Sequence, residues 1–213
     1  MYLINRTLRW LAFSALVIGV ATGMAACSSG RLSVTDYQQR VITVLRPQQT
    51  VEPSAPVPLN GLIPSLVQPF EVMRCLNEAY CLVPTEFTEL RDVSDSAKFA
   101  IADEHGKLCQ KGLKPPRALV GFHQQLCQRL DRIRLNLDTI ELIAQQTLSV
   151  MSTAPGNDTS FAQKAAQRIL SRRAAITADL RALEATDWLK AVFKDALKQI
   201  PELKSVRPSA AAN

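Results

Sequence analysis

Heptad-spaced apolar residues in the C-terminal half constrain the fold of this 213-residue chain more than any other feature. Between residues 117 and 151 they form two interleaved registers: Leu119, Leu126, Ile133 and Ile140, and Leu130, Leu137, Ala144 and Met151. After a break at residues 154–157, a second series contains Ala162, Ala166, Ile169, Ile176, Leu180 and Leu183. Alternating steps of four and three residues place these side chains on one face of a helix. We therefore predict two long α-helices.

The short break between these helices carries Pro155 and Gly156, which predicts a tight turn and antiparallel packing. We predict shorter helices over residues 35–45, 70–82, 94–109 and 188–200, and no segment has the alternation of a β-strand. The fold class is therefore an all-α bundle over residues 70–201. A heptad seam is also typical of a dimeric coiled coil, but the short turn favours a partner within the chain. Arg173 interrupts the seam, and we expect its side chain either to pair with an acid or to lie at the end of the bundle.

A proline-rich segment separates the first short helix from the bundle. Five prolines between residues 48 and 69 predict an extended, polyproline-like strap without a regular element. Apolar residues within it, among them Leu59 and Leu62, indicate that the strap lies along the folded body. We predict a flexible tail over residues 202–213.

The N-terminus has the pattern of a secretory signal. Arg6 and Arg9 precede an apolar stretch over residues 11–20, and small residues follow. The segment Met24, Ala25, Ala26, Cys27 resembles the lipobox of bacterial lipoproteins, and the overall layout is similar to that of uncharacterised proteobacterial lipoproteins. The resemblance implies that residues 1–26 are removed and that Cys27 carries acyl chains such as palmitate. The alternative is a simple N-terminal anchor with Cys27 unmodified.

The residue after the lipobox bears on the destination. Ser28 stands where an inner-membrane retention signal has Asp, so the resemblance implies an anchor in the outer membrane, on its periplasmic face. Residues 27–69 then form the lipidated tether, with the short helix and the proline-rich strap. Removing residues 1–26 leaves 187 residues and takes away two arginines and no acid, so the net charge falls from +6 to +4. The basicity is therefore partly a targeting signal, and we predict no nucleic-acid partner.

Four further cysteines predict two disulfides in an oxidising compartment. The gaps between Cys75, Cys81, Cys109 and Cys127 are 5, 27 and 17 residues, which differ from the usual spacing of zinc ligands. If residues 70–82 are helical, Cys75 and Cys81 lie about 9 Å apart along the axis, beyond bonding distance. Three helices running up, down and up then predict the pairs Cys75–Cys109 and Cys81–Cys127.

No catalytic motif is visible, and we predict no catalytic residue, metal or cofactor. Asp103, Glu104 and His105 are adjacent, so on a helix they point in different directions. We interpret them as a solvated charged turn in preference to an acid–base or metal cluster. His123 lies near the seam and is interpreted as a core-edge histidine in preference to a ligand.

Charge is unevenly distributed along the chain. Residues 71–110 contain eight acids and four bases, whereas residues 160–213 contain ten bases and five acids. The structural interpretation of the basic C-terminal region is a solvated helix face. The functional interpretation is a surface for acidic partner domains, anionic headgroups or cell-wall polymer. The candidate partner-binding residues are Arg168, Arg172, Lys190, Lys194 and Lys198.

Two functional hypotheses follow. The first is a non-enzymatic envelope lipoprotein, a helical adaptor or assembly factor for an envelope or secretion complex, with a membrane anchor and a protein partner. The second is a lipoprotein that binds or hydrolyses a lipid or cell-wall ligand in a pocket between helices. A large apolar cavity or a convergent acid pair is expected only of the second.

Overall fold

The computed structural model describes residues 31–46, 62–110, 113–153, 159–198 and 200–201. Over these ranges the chain is helical and contains no strand, which confirms the predicted all-α bundle. The described helices are α1 (Val34–Leu45), α2 (Leu62–Val72), α3 (Pro84–His105), α4 (Val120–Thr153), α5 (Ser160–Glu184) and α6 (Lys190–Leu197).

The two long helices predicted from the heptads are α4 and α5. Helix α4 is the middle member of an antiparallel trio, with α3 on one side and α5 on the other. Lys98 of α3 meets Asp138 while Cys109, just after α3, bonds to Cys127, so α3 runs opposite to α4. Asp179 of α5 meets Arg129 while Ala165 and Thr147 line the same groove, so α5 also runs opposite to α4. The heptad side chains from Leu126 to Ala144 are buried, and those at the two ends are partly buried. The seam therefore finds its partners within the chain.

Helix α1 packs at one end of the trio, which we call the proximal end: the end of α3, the start of α4 and α1 itself. The Ser33 hydroxyl caps α1 by accepting the Asp36 N–H at 3.1 Å. The Leu32 N–H donates to the Lys114 carbonyl at 3.4 Å, which holds the start of the described chain at this end. The opposite end, where α3 begins and α4 ends, is the distal end. Helix α2 packs on α3, and α6 packs on α5.

The predicted strap is wrong over residues 62–69, which belong to α2; residues 47–61 lie outside the described part of the chain. Pro64 occupies the first turn, where a helix does not need its N–H. Pro69 lies inside the helix and lacks an N–H to donate. Leu62, Leu66 and Phe70 recur every four residues and are fully buried. Burial of this face offsets the missing backbone bond, so α2 joins the bundle.

The predicted disulfide pairing is also wrong. Cys75 bonds to Cys81, and Cys109 bonds to Cys127; neither Cys75–Cys109 nor Cys81–Cys127 forms. The prediction assumed a continuous helix over residues 70–82, but α2 ends at Val72. Short 3-10 turns at Met73–Cys75 and Ala79–Cys81 replace the helix and bring the two Cα atoms to 5.9 Å.

Helix α3 begins ten residues earlier than the sequence indicated. Pro84 follows the helix predicted over residues 70–82 and stands at the first position of α3, where proline is favoured. Ser94, the first residue of the helix predicted over residues 94–109, is consequently a buried residue in the middle of α3. After His105 the helix widens into a π-turn at Gly106–Gln110, which carries Cys109.

The two disulfides differ in the length of chain they close, which gives a testable difference in stability. Replacing Cys109 and Cys127 together by Ser is expected to lower the free energy of unfolding by about 3 kcal/mol, because the reduced chain regains the entropy of an 18-residue separation. The matched change at Cys75 and Cys81, six residues apart, is expected to cost about 2 kcal/mol. Urea unfolding measures both. A larger loss from the Cys75–Cys81 pair, or a mapped Cys75–Cys109 peptide, contradicts the assignment.

Candidate functional site

The predicted lipid-attachment segment, Met24, Ala25, Ala26 and Cys27, lies outside the described residues. The described chain starts at Arg31, held at the proximal end by the Leu32–Lys114 hydrogen bond. The described chain therefore begins beside the Cys109–Cys127 disulfide, the π-turn and α1.

An aromatic cluster fixes α1 to the proximal end. The Tyr37 hydroxyl lies 3.0 Å from His123 Nδ1, and the Tyr37 ring makes edge contacts with His123 and Trp188. Burial raises the pKa of Tyr37 to about 12 and lowers the pKa of His123. His123 is therefore neutral at pH 7 and serves as a packing and hydrogen-bonding residue, which agrees with the core-edge interpretation.

The acidic cluster at the end of α3 is divided by the helix. Asp103 is exposed and pairs with Lys107, whereas Glu104 is buried. Burial raises the pKa of Glu104 to about 8. The interpretation as a solvated turn is therefore wrong for Glu104. Its spacing from Ile101 and Leu108, both buried, was the available signal.

Four of the five candidate partner-binding residues lie on two helices, and the fifth lies just after the second. Arg168 and Arg172 are exposed one turn apart on α5, and Lys190 and Lys194 are exposed on α6, with Lys198 exposed just beyond it. A groove of about 200 Å³ between α4 and α5 has Lys164 and Arg168 on its rim, with Phe161 and Gln146 beside them. The groove brings Arg168 together with none of the other four residues.

Arg173 has a structural duty within the seam. Its guanidinium lies 5.0 Å from the centre of the Phe70 ring and donates to the Pro201 carbonyl. Burial lowers the pKa of Arg173. The sequence predicted an acid partner or a place at the end of the bundle. The contacts instead join α5 to α2 and to the segment after α6.

A buried carboxylate joins α4 to α5. Asp179 is 7% exposed and accepts from Arg129 at 3.0 Å and from Arg132 at 3.1 Å. Two guanidinium groups on one carboxylate are worth more than an exposed pair because the acceptor is shielded from water. Sequence analysis missed this pair of contacts, since the partners are about fifty residues apart.

A lysine cage joins α3 to α4. The Lys98 ammonium contacts Asp95 at 3.1 Å, Asp138 at 3.2 Å and Glu141 at 2.5 Å. These contacts, with the hydrogen bond to Glu141 the largest cause, raise the pKa of Lys98. The ammonium also lies 5.4 Å from the centre of the Phe99 ring. The carboxylates are held by a permanent cation, which suits a structural and charge-presenting role.

Three large apolar side chains lie near this cage and are unusually exposed. The exposed fraction is 65% for Phe99, 53% for Leu142 and 46% for Leu135. Phe99 lies within the helix predicted over residues 94–109, and the two leucines lie within the long helix predicted from the heptads. Leu135 and Leu142 fall outside the heptad positions of α4, so the heptad pattern itself indicated that their side chains point away from the core.

Comparisons with protein-family models, with curated proteins and with solved structures find no match. Among the described residues no helix has the length and apolar character to span a membrane. In the same part of the chain no three His, Cys, Asp or Glu side chains form a metal-holding group.

Proposed function

We propose that the protein is an outer-membrane lipoprotein, held on the periplasmic side through Cys27, that acts as a non-enzymatic helical adaptor or assembly factor. The pairing of the cysteines carries this proposal. The two disulfides use Cys75, Cys81, Cys109 and Cys127, so Cys27 is the one cysteine of the sequence outside them. Two disulfides favour an oxidising compartment, and the leftover cysteine ends the lipobox-like segment.

The position of the first described residues supports a simple orientation. Four peptide units join Cys27 to Arg31, a reach of at most about 14 Å. A lipid on Cys27 therefore keeps the proximal end within that distance of the bilayer surface. Helix α4 has 34 residues and is about 50 Å long. The distal end is free to extend into the periplasm, the arrangement an adaptor requires.

The chemistry of the bundle supports an adaptor over a hydrolase. Asp179 is neutralised by two arginines, and the carboxylates around Lys98 are held by its ammonium. These carboxylates are engaged in contacts between helices of the bundle, which is a structural use of an acidic side chain. Burial raises the pKa of Glu104 to about 8, but its acidic neighbour Asp103 is exposed and paired with Lys107, so the two do not form a convergent acid pair.

The anchor is tested by replacing Cys27. We expect the Cys27→Ala protein to lose acyl labelling and to leave the outer-membrane fraction. Two or three acyl chains hold a protein firmly in a bilayer, and the variant has no residue to carry them at this position. The measurement is membrane fractionation with a clickable palmitate analogue. The matched control is a Ser28→Ala protein, which is expected to remain acylated and membrane-bound. Acylation of the Cys27→Ala protein, or its unchanged membrane retention, contradicts the proposal.

A further inference from the structure

The exposed apolar residues and the lysine cage form one surface, which we call the α3–α4 face: Asp95, Lys98, Phe99, Leu135, Asp138 and Leu142. Leu135, Asp138 and Leu142 have the spacing i, i+3 and i+7, which aligns them on one side of α4. Asp138 contacts the Lys98 ammonium, and this ammonium lies against the Phe99 ring. The side chains of α3 and α4 are therefore continuous across the helix pair.

The apolar residues of this face are arranged around the charge cluster. Leu135 and Leu142 are about 10 Å apart along α4, on either side of Asp138, and the Phe99 ring of α3 lies against the Lys98 ammonium that contacts Asp138. An aromatic ring and two leucines around a preformed charge cluster resemble the centre of a protein interface, where apolar anchors surround a small number of polar contacts. A single exposed leucine would carry no such meaning.

The charge on the face selects the partner. One ammonium is shared by the carboxylates of Asp95, Asp138 and Glu141, so the cluster keeps a net charge of −2. Asp95 and Asp138 are 44% and 56% exposed at their side chains, which leaves oxygen atoms available to another cation. A Lys or Arg next to apolar residues complements this surface, whereas an acidic segment or an anionic headgroup is repelled.

The shape of the face favours a helix. Towards the distal end, α3 and α4 enclose a shallow groove of about 500 Å³, lined by Arg91, Gln145 and Ser149 among others. Arg91 precedes Lys98 by seven residues and Gln145 follows Asp138 by seven, so the groove continues the face along both helices. The groove between two antiparallel helices accepts a third helix by ridges-into-grooves packing.

We propose that the α3–α4 face docks an amphipathic helix of a partner protein, with a Lys or Arg of that helix seated on Asp95 and Asp138 between apolar side chains. The inference rests on the proposed adaptor role and names the surface and the chemistry of its partner. Recognition is of the helix-in-groove kind, in which apolar anchors supply affinity and the charge supplies selectivity.

The test is photo-crosslinking with the full chain in native cells. Phe99, Leu135 or Leu142 is replaced, one at a time, by p-benzoylphenylalanine. The matched control is Phe161, an exposed aromatic residue beside the α4–α5 groove. We expect the three positions to crosslink to one segment of one protein, and the sequenced segment to be an amphipathic helix carrying Lys or Arg. The Phe161 position is expected to give no such product.

Charge variants complete the test. With the crosslinker at Leu142, Asp138→Lys is expected to reduce the yield roughly tenfold or more, and Asp138→Asn to reduce it less, because like charges repel the partner's cation. Equal urea midpoints for the two variants confirm that folding is unaffected. The inference is overturned if the crosslinked product is an acidic protein segment, a lipid, or residues 47–61 of the same chain. Crosslinks from position 161 alone overturn the proposal for the α3–α4 face and leave the adaptor role standing. If no position gives a protein crosslink, both proposals are overturned.

Discussion

Replacing Glu104 by Gln is expected to raise the free energy of unfolding by about 3 kcal/mol at pH 7.5. Burial holds the pKa of this carboxyl at about 8 in the folded protein, against 4.5 for the unfolded chain. Between these values the folded state binds more protons than the unfolded state, so stability falls as the pH rises. Within this window each pH unit lowers the free energy of unfolding of the parent chain by up to about 1.4 kcal/mol. The glutamine avoids this loss, but burying its amide group costs part of the gain.

The pH profile distinguishes this effect from a general change in packing. At pH 4.5 the two proteins are expected to agree within about 1 kcal/mol, because the carboxyl is protonated in the folded parent chain and still half protonated in the unfolded one. The matched control is Asp103→Asn, one residue away and exposed, with an expected change below about 0.5 kcal/mol. Urea unfolding at several pH values measures all three proteins. Parallel profiles for the parent and the Glu104→Gln protein contradict the account.

Replacing Leu137 by Ala is expected to lower the free energy of unfolding by about 3 kcal/mol. Leu137 is fully buried in the seam of α4, so the change removes its burial energy and leaves a cavity. Leu142 provides a control of the same chemistry on the same helix, with more than half of its side chain exposed. Leu142→Ala is expected to cost less than about 0.5 kcal/mol beyond its small change in helix propensity.

Urea unfolding at pH 7 measures the pair of leucine variants. A cost for Leu142→Ala equal to that for Leu137→Ala contradicts the packing of α4 between α3 and α5. The same Leu142→Ala protein, folded and stable, is expected to lose the partner helix of the α3–α4 face. The two leucines thus separate the residues that hold the bundle together from those that are available for binding.

The long helices were predictable because their evidence is local. Ile133, Leu137 and Ile140 repeat within a few turns, and the period survives in the sequence whatever packs against it. The helix predicted over residues 35–45 rests on the same kind of signal, because Tyr37, Val41 and Leu45 recur every four residues and form the buried face of α1. These features depend on residues three, four or seven positions apart, and the structure confirms them.

The errors came from prolines and from the cysteine geometry built on them. Pro84 begins α3 although it lies between two predicted helices, while Pro64 and Pro69 of the predicted strap lie in α2. A proline marks a helix boundary without giving its direction, because it suits the first turn as well as the segment after the end. A single helix over residues 70–82 excludes the bond between Cys75 and Cys81, so the error in the helix became an error in the disulfides.

The contacts that define the surfaces were beyond the sequence. Lys98 meets Asp138 and Glu141 across forty residues, and Asp179 meets its arginines across about fifty. Charged residues at these positions look like any solvated helix face until the helices are placed side by side. Phe99 was visible as an apolar residue, but its exposure depends on the packing of the neighbouring helices.

The central claim is that this bundle is an anchored adaptor within a larger envelope assembly. The most direct measurement is the native size of the protein after gentle detergent extraction from native membranes, compared with the purified acylated chain in the same detergent. The account predicts that the extracted protein migrates in an assembly distinctly larger than the purified chain, and that Asp138→Lys shifts it to the size of the purified chain. A protein that migrates at the size of the purified chain, even after chemical crosslinking in intact cells, contradicts the account.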